Sequence, residues 1–193
     1  IIRMRKEVPE VGWVDEEEPL IERDAATRAL NEKQEADIAA RGGLERRLAD
    51  LDAMGLDVQI VKPPPPQCYY AVPIEIAVES ARMVNDGIAE FVGQRPDHFK
   101  AFGTVPIPDG NEAAKELDRC VTELGFKGVQ ILTNVNGKEL SDAAFAPFWK
   151  KAEELGVLVV LHPNGFTEGS RLSRFYFNNV IGNPLESTIA LHY

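Results

Sequence analysis

Positive charge is scarce in this sequence, and thiols and imidazoles are scarcer. Lysine and arginine total 21 against 31 aspartates and glutamates, a net charge of −10. That balance argues against nucleic acid or an anionic membrane as the main partner. No apolar run approaches the roughly 20 residues that cross a bilayer. The opening Ile1-Ile2-Arg3-Met4-Arg5-Lys6 has no long apolar core of the signal-peptide kind. Only Cys68 and Cys120 carry thiols, in different contexts and without CxxC spacing. Free thiols in a reducing compartment are therefore expected, with the cytoplasm as the location. Neither GxGxxG nor GxxxxGK[ST] follows any predicted strand, so nothing points to a nucleotide-binding sheet.

What remains is ordinary globular material: 193 residues, 44% hydrophobic and 27% charged, enough for a single domain with a sizeable core. Residues 1–43 read as an N-terminal excursion and helix, with Trp13 as an aromatic anchor and Asp15-Glu16-Glu17-Glu18 as a solvated charge run. From residue 44 the chain alternates. Leu44, Leu48 and Leu51 recur at helical spacing before Gly55, and a short strand at 58–61 ends on Lys62. Four prolines, 63–66, predict a stiff extended loop carrying Gln67, Cys68, Tyr69 and Tyr70. A helix over 73–92 carries Ile76, Ser80, Val84, Ile88 and Phe91 on one side, and a strand over 99–105 follows. The next helix, opened by Asp109, faces inward with Ala113, Leu117, Cys120, Val121 and Leu124; the next strand is 129–132. Ser141 or Asp142 caps a helix carrying Phe145, Phe148, Ala152 and Leu155, which leads into 157–162.

Three helix exits share one grammar: Met54-Gly55-Leu56, Leu124-Gly125-Phe126 and Leu155-Gly156-Val157. Strict βα alternation with right-handed crossovers gives a parallel sheet, open or closed. With no nucleotide signature, the expected fold is α/β, a partial (β/α)8 TIM barrel spanning residues 44–193, single domain overall, with four strands visible. The chain begins with Ile and stops at Tyr193 inside a helical segment, so it reads as a piece of something longer.

In such a fold the C-terminal strand tips hold the chemistry. Here they are Lys62, Thr104, Thr133 with Asn134, and His162, while adjoining loops add Tyr69, Tyr70, Arg171, Arg174 and Tyr176. His162 ends the apolar run Val157-Leu158-Val159-Val160-Leu161, and Pro163 then forbids the next backbone donor. Position allows two readings of that imidazole: a buried ring bonded to a neighbouring carbonyl, or a functional group in the barrel mouth. His98 falls at the opposite face and His192 on the last helix, both read as structural or surface residues. A zinc site needs three or more protein ligands, which His162 alone does not supply.

Four motifs go further: Gly103-Thr104-Val105-Pro106, Gly125-Phe126-Lys127-Gly128-Val129-Gln130-Ile131, Leu161-His162-Pro163, and Ile181-Gly182-Asn183-Pro184-Leu185-Glu186-Ser187-Thr188. In this order and spacing the chain resembles the amidohydrolase superfamily, in the branch of aminocarboxymuconate-semialdehyde and γ-resorcylate decarboxylases. The resemblance implies a (β/α)8 barrel with one divalent metal, usually zinc, and His162 as the metal ligand after the fifth barrel strand. It implies loss of CO2 from a small unsaturated or aromatic carboxylate, with hydrolase or hydratase chemistry as the alternative on the same barrel. Tyr176 then matches a pocket aromatic and Arg171 a recurrent loop Arg; with Arg174 it is suited to grip a carboxylate. Tyr69, Tyr70 and Asn134 complete the substrate-binding set, and pairing into a homodimer is common among relatives. The departures are equally definite. The family's His-x-His is absent, and its strand-six His and strand-eight Asp would fall after Tyr193. As written, the chain is expected to hold metal weakly, to turn over poorly, and to expose two strand edges. A non-catalytic half-barrel interaction module stays open beside the enzyme readings.

Overall fold

The computed structural model describes residues 2–8, 12–18, 29, 43–167 and 169–193. Strands β1 (Ile2–Val8) and β2 (Gly12–Glu18) form an antiparallel hairpin. The acidic run therefore lies on a strand, a feature its composition did not predict; in register, Arg3 stands opposite Glu17 and Arg5 opposite Asp15. The helix expected before residue 43 falls almost wholly outside the described residues.

Beyond residue 43 the order is α1 (Leu44–Met54), β3 (Gln59–Val61), α2 (Ile74–Gly93), β4 (Phe99–Ala101), β5 (Gly103–Thr104), α3 (Gly110–Thr122), β6 (Gly128–Leu132), α4 (Ala146–Leu155), β7 (Leu158–His162) and α5 (Asn183–Ala190). The shared glycine grammar is what ends α1 and α4. Gly55 and Gly156 adopt left-handed φ of 66° and 61°, and each donates back into the last helical turn. Asp109 caps α3 by accepting from Asn111 and Glu112. Asp142, rather than Ser141, supplies the next cap, to a 3-10 turn at Ala143–Phe145 that runs into α4. The proline run divides: Pro64 is extended, but Pro65–Cys68 winds into a 3-10 turn. Proline tolerates a first helical turn, where its missing N–H is not needed.

The expected strand at 99–105 is one line of chain that changes partners. β4 pairs in parallel with β3, while β5 pairs in parallel with β6, and β6 with β7. Phe102 N–H donates to Val61 on one side, and Ala101 carbonyl accepts from Lys127 on the other. The result is a continuous arc of parallel strands with helices on its outer side. Paired residues of a parallel ladder share a face, and faces alternate along each strand. Val61↔Ala101, Gly103↔Val129 and Val129↔Val159 therefore lie on the helix side, with Val129 and Ile131 fully buried. Ile60, Lys62, Thr104, Gln130, Leu132, Val160 and His162 share the other, concave face.

The core lies between strands and helices: Val105, Ile107, Leu117, Cys120, Ile131 and Phe148 are all fully buried. In α2 the buried residues are Ala77, Ser80, Ala81 and Asn85, so the inner face takes in Ser80 and the core-packed Ile88 of the expected side and extends one step round from it. The rims are different. Ile60 on β3 is 50% exposed and Leu158 on β7 is 65% exposed, as are Phe175, Val180 and Leu191 to similar or greater degrees. No helix among the described residues is long and apolar enough to cross a membrane.

Candidate functional site

His162 closes β7 in register with Leu132 of β6, and Thr133 N–H donates to its carbonyl at 3.3 Å. Its Nδ1 lies 2.7 Å from the Pro163 carbonyl oxygen. A carbonyl only accepts, so Nδ1 carries the proton and Nε2 presents a lone pair. Burial lowers the imidazole pKa below its usual value, the Pro163 bond opposes that, and nearby Lys62 adds to it. The ring is therefore held neutral, in the tautomer that ligates a metal or accepts a proton. The carbonyl bond of the first reading is present, and it leaves the second nitrogen with the lone pair that the other reading would use.

Lys62 stands beside it on the concave face. Its Nζ donates to Gln130 Oε1 at 2.5 Å, and Gln130 Nε2 donates to the Pro63 carbonyl at 2.9 Å. The second bond fixes which end of the amide meets the ammonium. Lys62 is exposed as a residue, while partial desolvation lowers its pKa, with Cys68 opposing. Thr104, in register with Gln130, is fully buried, and its Oγ1 has no hydrogen-bond partner. Gln130 was not singled out from sequence. The available signal was one amide inside the apolar run Val129-Gln130-Ile131-Leu132, since a buried polar group needs a partner.

The remaining predicted residues disperse. Tyr70 is 5% exposed, and its hydroxyl accepts from Leu132 N–H at 3.3 Å; burial pushes its pKa well up. Its side chain belongs to the buried core. Tyr69, next to it, is half-buried with a left-handed φ of 50°. Asn134 uses Oδ1 to accept from Gly137 N–H at 2.7 Å, so it shapes a turn. Arg171 and Arg174 are exposed; Tyr176 is half-buried at φ 59°. This loop is closed on itself and tied to α5: Asn178 Oδ1 accepts from Phe166 N–H, and Glu186 of α5 accepts from Thr167. His98 contacts Asp57 and Asp97 at the far end of the strands, and His192, just past the end of α5 rather than on it, bonds the Thr188 carbonyl. Among the described residues no three His, Cys, Asp or Glu side chains converge to hold a metal. His162 fits such a centre as one ligand, and the described set does not complete it.

Comparison with known proteins gives the arrangement its context. The amidohydrolase family model matches residues 35–185. The chain is 32% identical over 145 residues to a 2-amino-3-carboxymuconate-6-semialdehyde decarboxylase of Dictyostelium discoideum, covering 75% of this chain and 40% of that protein. It is 35% identical over 137 residues to a γ-resorcylate decarboxylase of Rhizobium radiobacter, covering 66% of this chain and 41% of that one. The chain thus spans about two fifths of the length of these curated relatives. A solved 5-carboxyvanillate decarboxylase of Novosphingobium aromaticivorans, with bound manganese, superposes at a TM-score of 0.71 and 29% identity, over 76% of this chain and 43% of that structure.

Proposed function

The chain belongs to the amidohydrolase family and folds as a sector of its (β/α)8 barrel, and from that premise we propose that the whole protein is a metal-dependent, non-oxidative decarboxylase of an unsaturated or aromatic carboxylate. One observation carries this: a neutral His162 at a parallel strand tip, its Nδ1 held by Pro163 and its Nε2 left for a ligand, in a chain similar to decarboxylases across 66% to 75% of its length. A divalent ion, when bound, would polarise a substrate oxygen. His162 would hold it together with ligands outside the described residues. The ion is zinc in our reading, and the manganese in the 5-carboxyvanillate decarboxylase makes that metal the comparison to run. Tyr176, Arg171, Arg174, Tyr69 and Asn134 belong to the proposed substrate surface, with Tyr70 behind it. The scarcity of cysteine, with Cys68 and Cys120 both buried, supports a reducing, cytoplasmic setting. The exposed Phe175, Val180 and Ile181 support a homodimer that covers them.

The test is CO2 release by the whole protein from γ-resorcylate, other hydroxybenzoates and muconate semialdehydes, after metal removal and reloading with zinc or manganese. Metal-dependent release from one of them is expected. Ester or lactone cleavage without CO2 would replace the decarboxylase with a hydrolase. A His162→Ala protein that keeps its metal in full would remove His162 from the centre.

A further inference from the structure

The concave face holds a cation that no acidic group answers. Lys62 Nζ gives one of its three donors to Gln130 Oε1, a neutral acceptor that leaves the charge uncancelled. Among the described residues no carboxylate lies within ion-pair distance of it, in a chain where acids outnumber bases by 31 to 21. Lys62 is exposed, so its two remaining ammonium donors can be reached by an anion arriving from solvent. Two strand positions away the Thr104 hydroxyl is fully buried without a partner, on the same face and in register with Gln130. A buried hydroxyl left unsatisfied in a protein is an open donor. His162, at the tip of β7, lies on the same face.

We infer that Lys62, oriented by Gln130, is a substrate-binding residue that holds the carboxylate of the substrate on the concave face, beside His162. The identity of the anion as a carboxylate rests on the decarboxylase reading; the anion site itself rests on the geometry. A single ammonium backed by a neutral amide suits one negative charge better than a phosphate, which recruits helix N-termini and several cations. The rival is a purely structural Lys62 that only steadies Gln130.

The experiment measures binding of two matched probes to the whole, metal-loaded protein: γ-resorcylate and its uncharged carboxamide. The parent should prefer the carboxylate. Lys62→Gln should weaken carboxylate binding by about 10- to 100-fold, the range of a charge-assisted hydrogen bond, and leave the carboxamide within about twofold. Lys62→Arg keeps the charge and should recover most of the loss, which also guards against a folding defect in the first variant. Equal weakening of both probes, an unchanged carboxylate affinity in Lys62→Gln, or no carboxylate preference in the parent each overturns the inference. If CO2 is never released while the Lys62-dependent preference persists, the decarboxylase reading falls and the anion site stands. If CO2 is released and the preference survives Lys62→Gln, the reverse holds.

Discussion

The side chain of Asn85 serves as a strand neighbour for Thr104: Oδ1 accepts from Thr104 N–H and Nδ2 donates to Thr104 carbonyl, each at 2.9 Å. The reason lies one strand over. Phe102 turns its N–H toward Val61, so Thr104 two residues on faces the same way, where β3 has given out at Pro63. Proline has no N–H to offer. An amide from α2 fills the gap in the ladder, and Gln130 takes up the Pro63 carbonyl that is left over. Asn85 Nδ2 also reaches the buried Glu116 at 2.7 Å, whose carboxylate Arg119 meets at 2.8 Å.

Replacing Asn85 with Ala should therefore cost far more than a lost side chain. Two backbone groups of Thr104 would be buried without partners, at about 1–3 kcal/mol each. We expect a loss of about 3–5 kcal/mol in urea unfolding of the whole protein. A loss below about 1 kcal/mol would mean that water or a neighbour replaces the amide.

Gly103 is tied to the same joint. A Cβ there would sit 2.8 Å from Asn85 Oδ1 and 2.9 Å from Cys120 Sγ. Gly103→Ala should destabilise by about 1–3 kcal/mol, the usual cost of overpacking. Because the clash is shared, Cys120→Ala should recover part of that loss. A double-mutant cycle on melting temperature measures the recovery, and strict additivity would place the strain elsewhere.

At the opposite end of the strands, Asp97 is held down to about 2 by its hydrogen bonds from Arg95 and by the charge of that guanidinium. A carboxyl depressed in the folded state contributes stability that is present above its unfolded value and is lost as pH falls from about 3.8 toward 2. The pair is exposed, so the effect on melting is small. The titration itself is the sharper measure. NMR of the Asp97 carboxyl should show a midpoint near 2, and Arg95→Gln should raise it; a midpoint that does not move would deny Arg95 its part.

These joints mark where the sequence was legible and where it was not. Gly55, Gly125 and Gly156 announced three helix exits because glycine alone adopts a left-handed φ without strain. The run ending at His162-Pro163 announced a parallel strand and its tip, but not the burial its apolar residues suggested: Leu158 is 65% exposed and the rest of β7 only half-buried, because no further strand or helix among the described residues covers it. Local chemistry acts over a few residues, and such signals survive reading in one dimension. Asn85 and Gln130 were passed over for the opposite reason: each satisfies a backbone group far off in sequence, at Thr104 and Pro63, so nothing beside it in the chain explains its polarity. The proline run misled in the same way, since its end winds into a turn only because Cys68 and Tyr70 are drawn into the core. The β1–β2 hairpin needed a register that the composition of residues 1–18 does not disclose.

Tyr70 and Tyr176 were named together as pocket aromatics, and geometry now separates them. Tyr70 is buried and accepts from Leu132 N–H at 3.3 Å, one residue before the β6 tip. Tyr70→Phe keeps the ring and leaves that N–H buried without a partner, so about 1–2 kcal/mol of stability should be lost. Its Michaelis constant for a substrate should stay within about twofold of the parent, since the hydroxyl faces the core. Tyr176 is half-buried on a loop anchored to α5, so Tyr176→Ala should do the opposite: little change in melting temperature, and a Michaelis constant raised by about tenfold if an aromatic contact to a planar carboxylate is removed. Steady-state kinetics beside thermal melts of the two variants decide it. A crossed result, with Tyr70→Phe moving the Michaelis constant and Tyr176→Ala moving only stability, would exchange their roles.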